Sequence, residues 1–169
     1  MKERLRQLSK QVFLVTIVGT ICGYFHPSAS LAQSIFENIS ISPQFTNQPV
    51  TMRGISGGSI PARQISERED TETGPCVGFV DQEPDHTMTL TSFFDFLSLQ
   101  IKSPEDTTMV IKGPGGIWCN DDASNAQDPG VAGQWLEGMY EIWVGSYQKD
   151  KYHPYVIEIN QDSEVDFSR

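Results

Sequence analysis

Acidic side chains concentrate in two short stretches of the sequence. Asp121, Asp122 and Asp128 share one stretch, and DQEPD, residues 81–85, forms the other. Carboxylate, amide and carbonyl oxygens are the ligands of Ca²⁺, which takes about six to eight of them from bendable loops. Asp and Asn also favour turns, because their side chains hydrogen-bond the nearby backbone. The residue types therefore support either a calcium site at Asp121, Asp122 and Asp128 or a set of turn-forming, solvated acids.

A second motif would make the chain a serine enzyme. GISGG, residues 54–58, matches the nucleophile elbow G-x-S-x-G, centred here on Ser56. That elbow requires a buried strand before the serine and a helix after it, and neither flank is evident here. His86 or His153 would have to act as the base without support from its spacing. The sequence favours a flexible Gly/Ser turn at this position.

The first 32 residues have the composition of a secretory signal peptide. Four basic residues precede an apolar run over 12–25, and Ser-Leu-Ala at 30–32 predicts cleavage after Ala32. The apolar run is shorter than the roughly 17 to 25 residues that cross a bilayer as a helix. We therefore predict a secreted or periplasmic protein with no membrane span after signal cleavage.

Removal of the signal peptide changes the charge of the chain. Residues 1–32 hold 4 of the 12 basic and 1 of the 22 acidic residues, so the remainder has 8 and 21, a net charge of −13. Such a surface repels phosphate backbones and argues against nucleic acid as a partner.

The cysteines point to an oxidising compartment. Cys22 leaves with the signal peptide, and Cys76 and Cys119 remain as an expected disulfide. A closed loop of about 40 residues would stabilise the fold by roughly 3 to 4 kcal/mol. The bond would consume the thiol that Cys76 would need as a nucleophile beside His86, and the Cys and His residues lack the spacing of a zinc site.

Short β-rich segments recur after Pro75, separated by turns rich in Gly, Pro, Asn and Asp. FLSLQIKS and GMYEIWVGSYQ alternate apolar with polar or small residues, the period of a half-buried strand. This pattern predicts an all-β fold, a small antiparallel β-sandwich of jelly-roll-like type over residues 74–162, followed by a tail at 163–169.

Residues 33–73 lack a sustained apolar pattern and are rich in Ser, Pro, Gly, Asn and Gln. We predict that they form a flexible arm or linker, mostly irregular. Two pieces of this segment are candidates for short strands, SIFENISI and PVTMRGI.

Three tryptophans lie in the second half of the predicted domain. Trp118, Trp135 and Trp143 are candidate contacts for a partner, because an indole combines a large apolar surface with a polar edge. Trp143 alternates with Tyr140 and Ile142, so it belongs to the opposite face of its strand. It is either an exposed anchor for a peptide or glycan, or a side chain covered by loops.

Residues from about 75 to 159 resemble the bacterial pre-peptidase C-terminal domain. The resemblance is carried by DTTMVIKGPGGIWCNDD, GMYEIWVGSY and YVIEI, which follow the family's order of a Pro-Gly-Gly strand end, an Asp-Asp turn and two closing strands. It implies a small β-sandwich that accompanies secreted peptidases and aids export or attachment, and some relatives bind calcium through acidic loops. No peptidase domain is evident in this sequence, so we expect a freestanding copy.

These observations predict a secreted, non-catalytic binding module with a protein or polysaccharide partner and Ca²⁺ as its candidate cofactor. The alternatives are a secreted hydrolase and a protease-associated accessory or inhibitor protein.

Overall fold

The alternating segments form two stacked β-sheets in the computed structural model of the chain, which describes residues 38–43, 49–123 and 127–161. The predicted signal peptide at 1–32 and the predicted tail at 163–169 lie outside these residues. Among the described residues, no helix is long and apolar enough to cross a membrane.

Strands dominate the described residues, with a single short helix, α1 (Ala62–Ser66). The strands are β1 (Ile39–Ile41), β2 (Val50–Ile55), β3 (Ile60–Pro61), β4 (Asp70–Thr71), β5 (Gly74–Pro75), β6 (Phe79–Val80), β7 (His86–Leu90), β8 (Phe94–Lys102), β9 (Thr107–Gly113), β10 (Gly116–Asn120), β11 (Gly130–Trp135), β12 (Gly138–Ser146) and β13 (Pro154–Asn160).

The first sheet is built around β12. This strand pairs with β9 along one edge, and β9 pairs with β10. Along its other edge β12 pairs with β7 and then with β6, while β1 lies parallel to β7 and β3 pairs with β6. The second sheet is antiparallel throughout, in the order β11-β8-β13-β2, and β4 and β5 form a separate small ribbon.

The main core lies between the two sheets. From the first sheet, β12 contributes Tyr140, Ile142 and Val144, and from the second sheet β8 contributes every other residue over 97–101; all of these side chains are fully buried. Facing apolar surfaces that exclude water are the main favourable term for such a fold. The predicted all-β antiparallel sandwich is confirmed.

The segment at 49–73, which we expected to be a flexible arm, belongs to the sandwich instead. β2 pairs with β13 over its whole length and buries Met52, and α1 packs Ala62 and Ile65 against the first sheet. The strand candidate PVTMRGI is thus confirmed as β2, whereas SIFENISI contributes only the three residues of β1. The arm prediction failed because these elements are too short for a sustained apolar period.

Candidate functional site

Ser56, the centre of the candidate elbow, is fully buried at the end of β2. Its Oγ lies 2.9 Å from the Oγ of Ser146 and accepts the backbone N–H of His153 at 3.3 Å. Gly57 and Gly58 follow with φ of 117° and 146°, and the chain then enters β3 rather than a helix. The segment is therefore a structural turn. The Ser56 hydroxyl is hydrogen-bonded inside the sandwich and is not accessible to a substrate.

A buried polar group joins the two sheets near this turn. His86 opens β7 and Tyr155 lies in β13; the His86 Nε2 and Tyr155 Oη are 2.7 Å apart, with the rings edge to face. Asp85, which is only 7% exposed, accepts the backbone N–H of Val144 through Oδ2 at 2.7 Å. The Tyr155 ring rests on Gly54, where a Cβ would collide with the phenol.

Burial sets the ionisation of this polar group. It raises the pKa of Asp85 to about 7, against the lowering effect of the Val144 hydrogen bond, and the charge of Asp81 adds to the rise. Burial also raises the pKa of Tyr155 above its ordinary value, and the charge of Asp85 raises it further. The phenol therefore stays protonated. The side chains of Asp85, His86 and Tyr155 are all buried, and this arrangement holds the two sheets together without offering a nucleophile to solvent.

The predicted disulfide is confirmed between Cys76 and Cys119, with an S–S distance of 2.07 Å and Cα atoms 5.0 Å apart. It fastens the segment before β6 to β10 on the outer face of the first sheet. Cys76 is therefore unavailable as a nucleophile, and its predicted neighbour His86 bonds to Tyr155 instead.

Trp143 lies under the disulfide. As its alternation with Tyr140 requires, it points away from the main core, into a second cluster with α1 and both half-cystines. It is 4% exposed, and the Nζ of Lys112 lies 5.7 Å from its ring centroid. Of the two possibilities left open for Trp143, the covered side chain is the one observed. Its indole does not present an exposed anchor.

Asp106, from the turn before β9, lies within electrostatic range of Asp121, Asp122 and Asp128 of the acidic loop. Burial raises the pKa of Asp106, and the three negative charges raise it further. Asp128 Oδ1 accepts the backbone N–H of Ser103 at 3.1 Å, a bond that joins the acidic loop to the turn after β8. Among the residues that the structure describes, no three or more His, Cys, Asp or Glu side chains are grouped so as to hold a metal ion. Calcium binding here stays a prediction.

Trp118 and Trp135 belong to an aromatic cluster with Tyr140. The Trp135 ring is buried and lies 5.0 Å from Tyr140 and 5.7 Å from Trp118, which is half-buried. The Tyr140 hydroxyl donates to the carbonyl of Leu136 at 2.9 Å and lies 3.4 Å from that of Pro114. The cluster therefore ties the β9–β10 turn to the β11–β12 turn.

Large apolar side chains are exposed above this cluster. Phe93, Leu136 and Met139 are 46%, 49% and 58% exposed, and we refer to these three residues as the apolar tip. They lie at one end of the sandwich, since Leu90 pairs with Gly138 and Phe94 pairs with Trp135. Sequence reasoning missed them, because they occupy turns and strand ends where no periodic signal marks a side chain as exposed.

Comparisons with known proteins give weak likenesses. No protein-family model matches the chain. An uncharacterized protein of Synechococcus elongatus is 24% identical over 135 residues, which cover 78% of this chain and 86% of that protein.

Two solved structures are similar in fold. The pre-peptidase C-terminal domain of a Bacillus anthracis collagenase has a TM-score of 0.42 and 11% identity, covering 73% of this chain and 95% of that one. PliG, a periplasmic inhibitor of g-type lysozyme from Aeromonas hydrophila, has a TM-score of 0.40 and 14% identity, covering 73% and 96%.

Proposed function

We propose that the chain is an exported, non-catalytic module that acts by binding a protein or polysaccharide partner. One contrast carries this proposal: Ser56, His86 and the disulfide-bonded cysteines are inside the fold, and large apolar side chains are outside it. Ser56 and His86 are buried and hydrogen-bonded, and Cys76 is joined to Cys119. A hydrolase needs its nucleophile and base within reach of a substrate, which these residues lack.

The disulfide supports export. Such bonds persist in oxidising compartments and are rare in the cytosol, so the Cys76–Cys119 bond agrees with a secreted or periplasmic location. The signal peptide proposed for residues 1–32 would deliver the chain to such a compartment.

The non-catalytic part is tested with a serine-directed fluorophosphonate probe. We expect no labelling of the chain recovered after export, because the Ser56 hydroxyl is enclosed. A serine hydrolase labelled in parallel shows that the reagent is active, and Ser56→Ala is the matched variant. Labelling of the chain that disappears in Ser56→Ala would show that an enzyme had been missed.

The binding part is tested with two defined probe classes, a random peptide library displayed on phage and insoluble polysaccharides such as chitin, cellulose and peptidoglycan. The reduced and alkylated chain serves as the control for adhesion by unfolded protein. We expect the folded chain to retain one class above that control. Retention of neither class would contradict a binding function.

A further inference from the structure

We propose that the apolar tip, Phe93, Leu136 and Met139, is the docking surface, and that its occupant is a protein whose contact surface sets Lys or Arg side chains around an apolar cleft. This proposal rests on the binding function above and deepens it.

Exposure and clustering distinguish the apolar tip from scattered surface apolar residues. Its three side chains are each close to half exposed or more. Phe93 and Leu136 lie in the β7–β8 and β11–β12 turns at the same end of the sandwich, and Met139 lies in the first residues of β12. Large apolar side chains grouped at one end of a fold mark interaction sites, whereas single exposed apolar residues are common and carry no such meaning.

The backbone that carries Leu136 in the apolar tip is also held in place. The Tyr140 hydroxyl bonds the carbonyl of Leu136, and the Trp118 and Trp135 rings pack against Tyr140. Gly138 has a φ of 136°, and the ring of Pro114 occupies the space that a side chain there would need. A surface ordered before binding loses less conformational entropy on association, so it binds more tightly for the same contacts.

Charge selects the occupant. Asp95 and Glu137 are exposed next to the apolar tip, and the chain without residues 1–32 has a net charge of −13. Arg68 and Glu72, of opposite charge, line the same shallow cavity as Trp118. A second copy of this chain would be repelled, whereas a cationic protein surface would be attracted and oriented. The exposed side chains of the tip are apolar and offer few hydrogen bonds to a polysaccharide.

The test uses peptides selected from the phage library, synthesised with a fluorophore and titrated by anisotropy. We expect the selected peptides to combine Lys or Arg with aromatic or aliphatic residues. Leu136→Asp and Met139→Asp should each weaken binding tenfold or more, and Leu136→Met should retain it. Tyr152→Asp is the control, because Tyr152 is 55% exposed but lies beyond the opposite end of β12. Urea midpoints of all variants verify that they fold.

Salt gives a second readout. Because the attraction is electrostatic at the rim, the dissociation constant should rise several-fold between about 50 and 500 mM NaCl. Peptides that bind the Asp variants as tightly as the wild type, or that lack basic residues, would overturn the proposal while leaving the binding function intact. If the chain retains polysaccharide but no peptide, the docking proposal is likewise overturned and the binding function stands. If it retains neither probe class, the binding function itself is contradicted.

Discussion

At the residue scale, Asp85 is a buried group whose pKa the fold moves to near neutral pH. Its carboxyl is buried, and burial raises its pKa from 3.8 to about 7. The folded state therefore takes up a proton at a higher pH than the unfolded chain does. The resulting stability is fully present below about pH 4, is lost progressively as pH rises to about 7, and is absent above that.

Asp85→Asn should remove this dependence. An amide can still accept the Val144 N–H but cannot ionise, so the variant should exceed the wild type in unfolding free energy at pH 8, by on the order of 4 kcal/mol at most. The difference should shrink toward pH 5. Urea unfolding at several pH values measures it, with the exposed Asp95→Asn as the matched control. A variant less stable than the wild type at pH 8 would contradict the argument.

Gly54 and Tyr155 form a matched contact that can be tested separately. Gly54→Ala should displace the Tyr155 ring and destabilise the fold by about 1 to 3 kcal/mol, because a Cβ there meets the phenol.

Tyr155→Phe should lower the free energy of unfolding by about 1 to 3 kcal/mol through loss of the buried hydrogen bond to His86. Tyr152→Phe, which alters an exposed phenol, should change the free energy of unfolding by less than about 0.5 kcal/mol. Equal effects of the two Phe variants would refute a special role for the buried bond.

At the element scale, the outer face of the first sheet depends on its cover. Helix α1 has only five residues and could not persist in isolation, so its packing on Trp143 and the disulfide holds it in place. The strand β12 is consequently buried on both faces along its second half.

Replacing both cysteines, Cys76→Ala with Cys119→Ala, should loosen that cover. A bond that joins residues 43 apart stabilises by about 4 kcal/mol in the chain-entropy account. We expect a lower urea midpoint and a shift of the chain's tryptophan emission to longer wavelength as water reaches the Trp143 indole. The wild type under the same buffer without reductant is the reference. An unchanged midpoint would mean that the cover is stable without its cross-link.

The acidic loop supports a separate prediction about calcium. If Asp121, Asp122 and Asp128 ligate the ion, about 10 mM Ca²⁺ should raise the melting temperature by an amount equivalent to roughly 1 kcal/mol, and a chelator should reverse the change. Asp121→Asn with Asp122→Asn should abolish the response, and Asp81→Asn, in the other acidic stretch, should keep it. Identical melting curves with and without the ion would leave only the turn-forming role.

The alternation of apolar and polar residues predicts the long strands best. Tyr140, Ile142 and Val144 have the predicted inward orientation, and the cysteine pair follows from compartment and count. Segments of two or three residues such as β3 escape this approach, because they have too few positions to express a period and are defined by their partners.

At the scale of the whole molecule, the polar group and the apolar tip both depend on distant parts of the chain. His86 and Tyr155 are 69 residues apart, and only the stacking of the two sheets brings them together. Leu136 and Phe93 likewise become neighbours through strand pairing. Local composition does not reveal contacts between residues so far apart in sequence. Candidate residues could therefore be named from the sequence, but which of them lie together in the fold could not be predicted.

The pairing of β2 with β13 has a further consequence for biogenesis. These strands come from opposite ends of the described chain, residues 50–55 and 154–160. A nascent chain emerging from the ribosome cannot close the second sheet until residue 160 has been made, and contacts so distant in sequence form slowly. The second sheet therefore stays open throughout synthesis of the described residues, which is the state that the export proposed above would require of the chain.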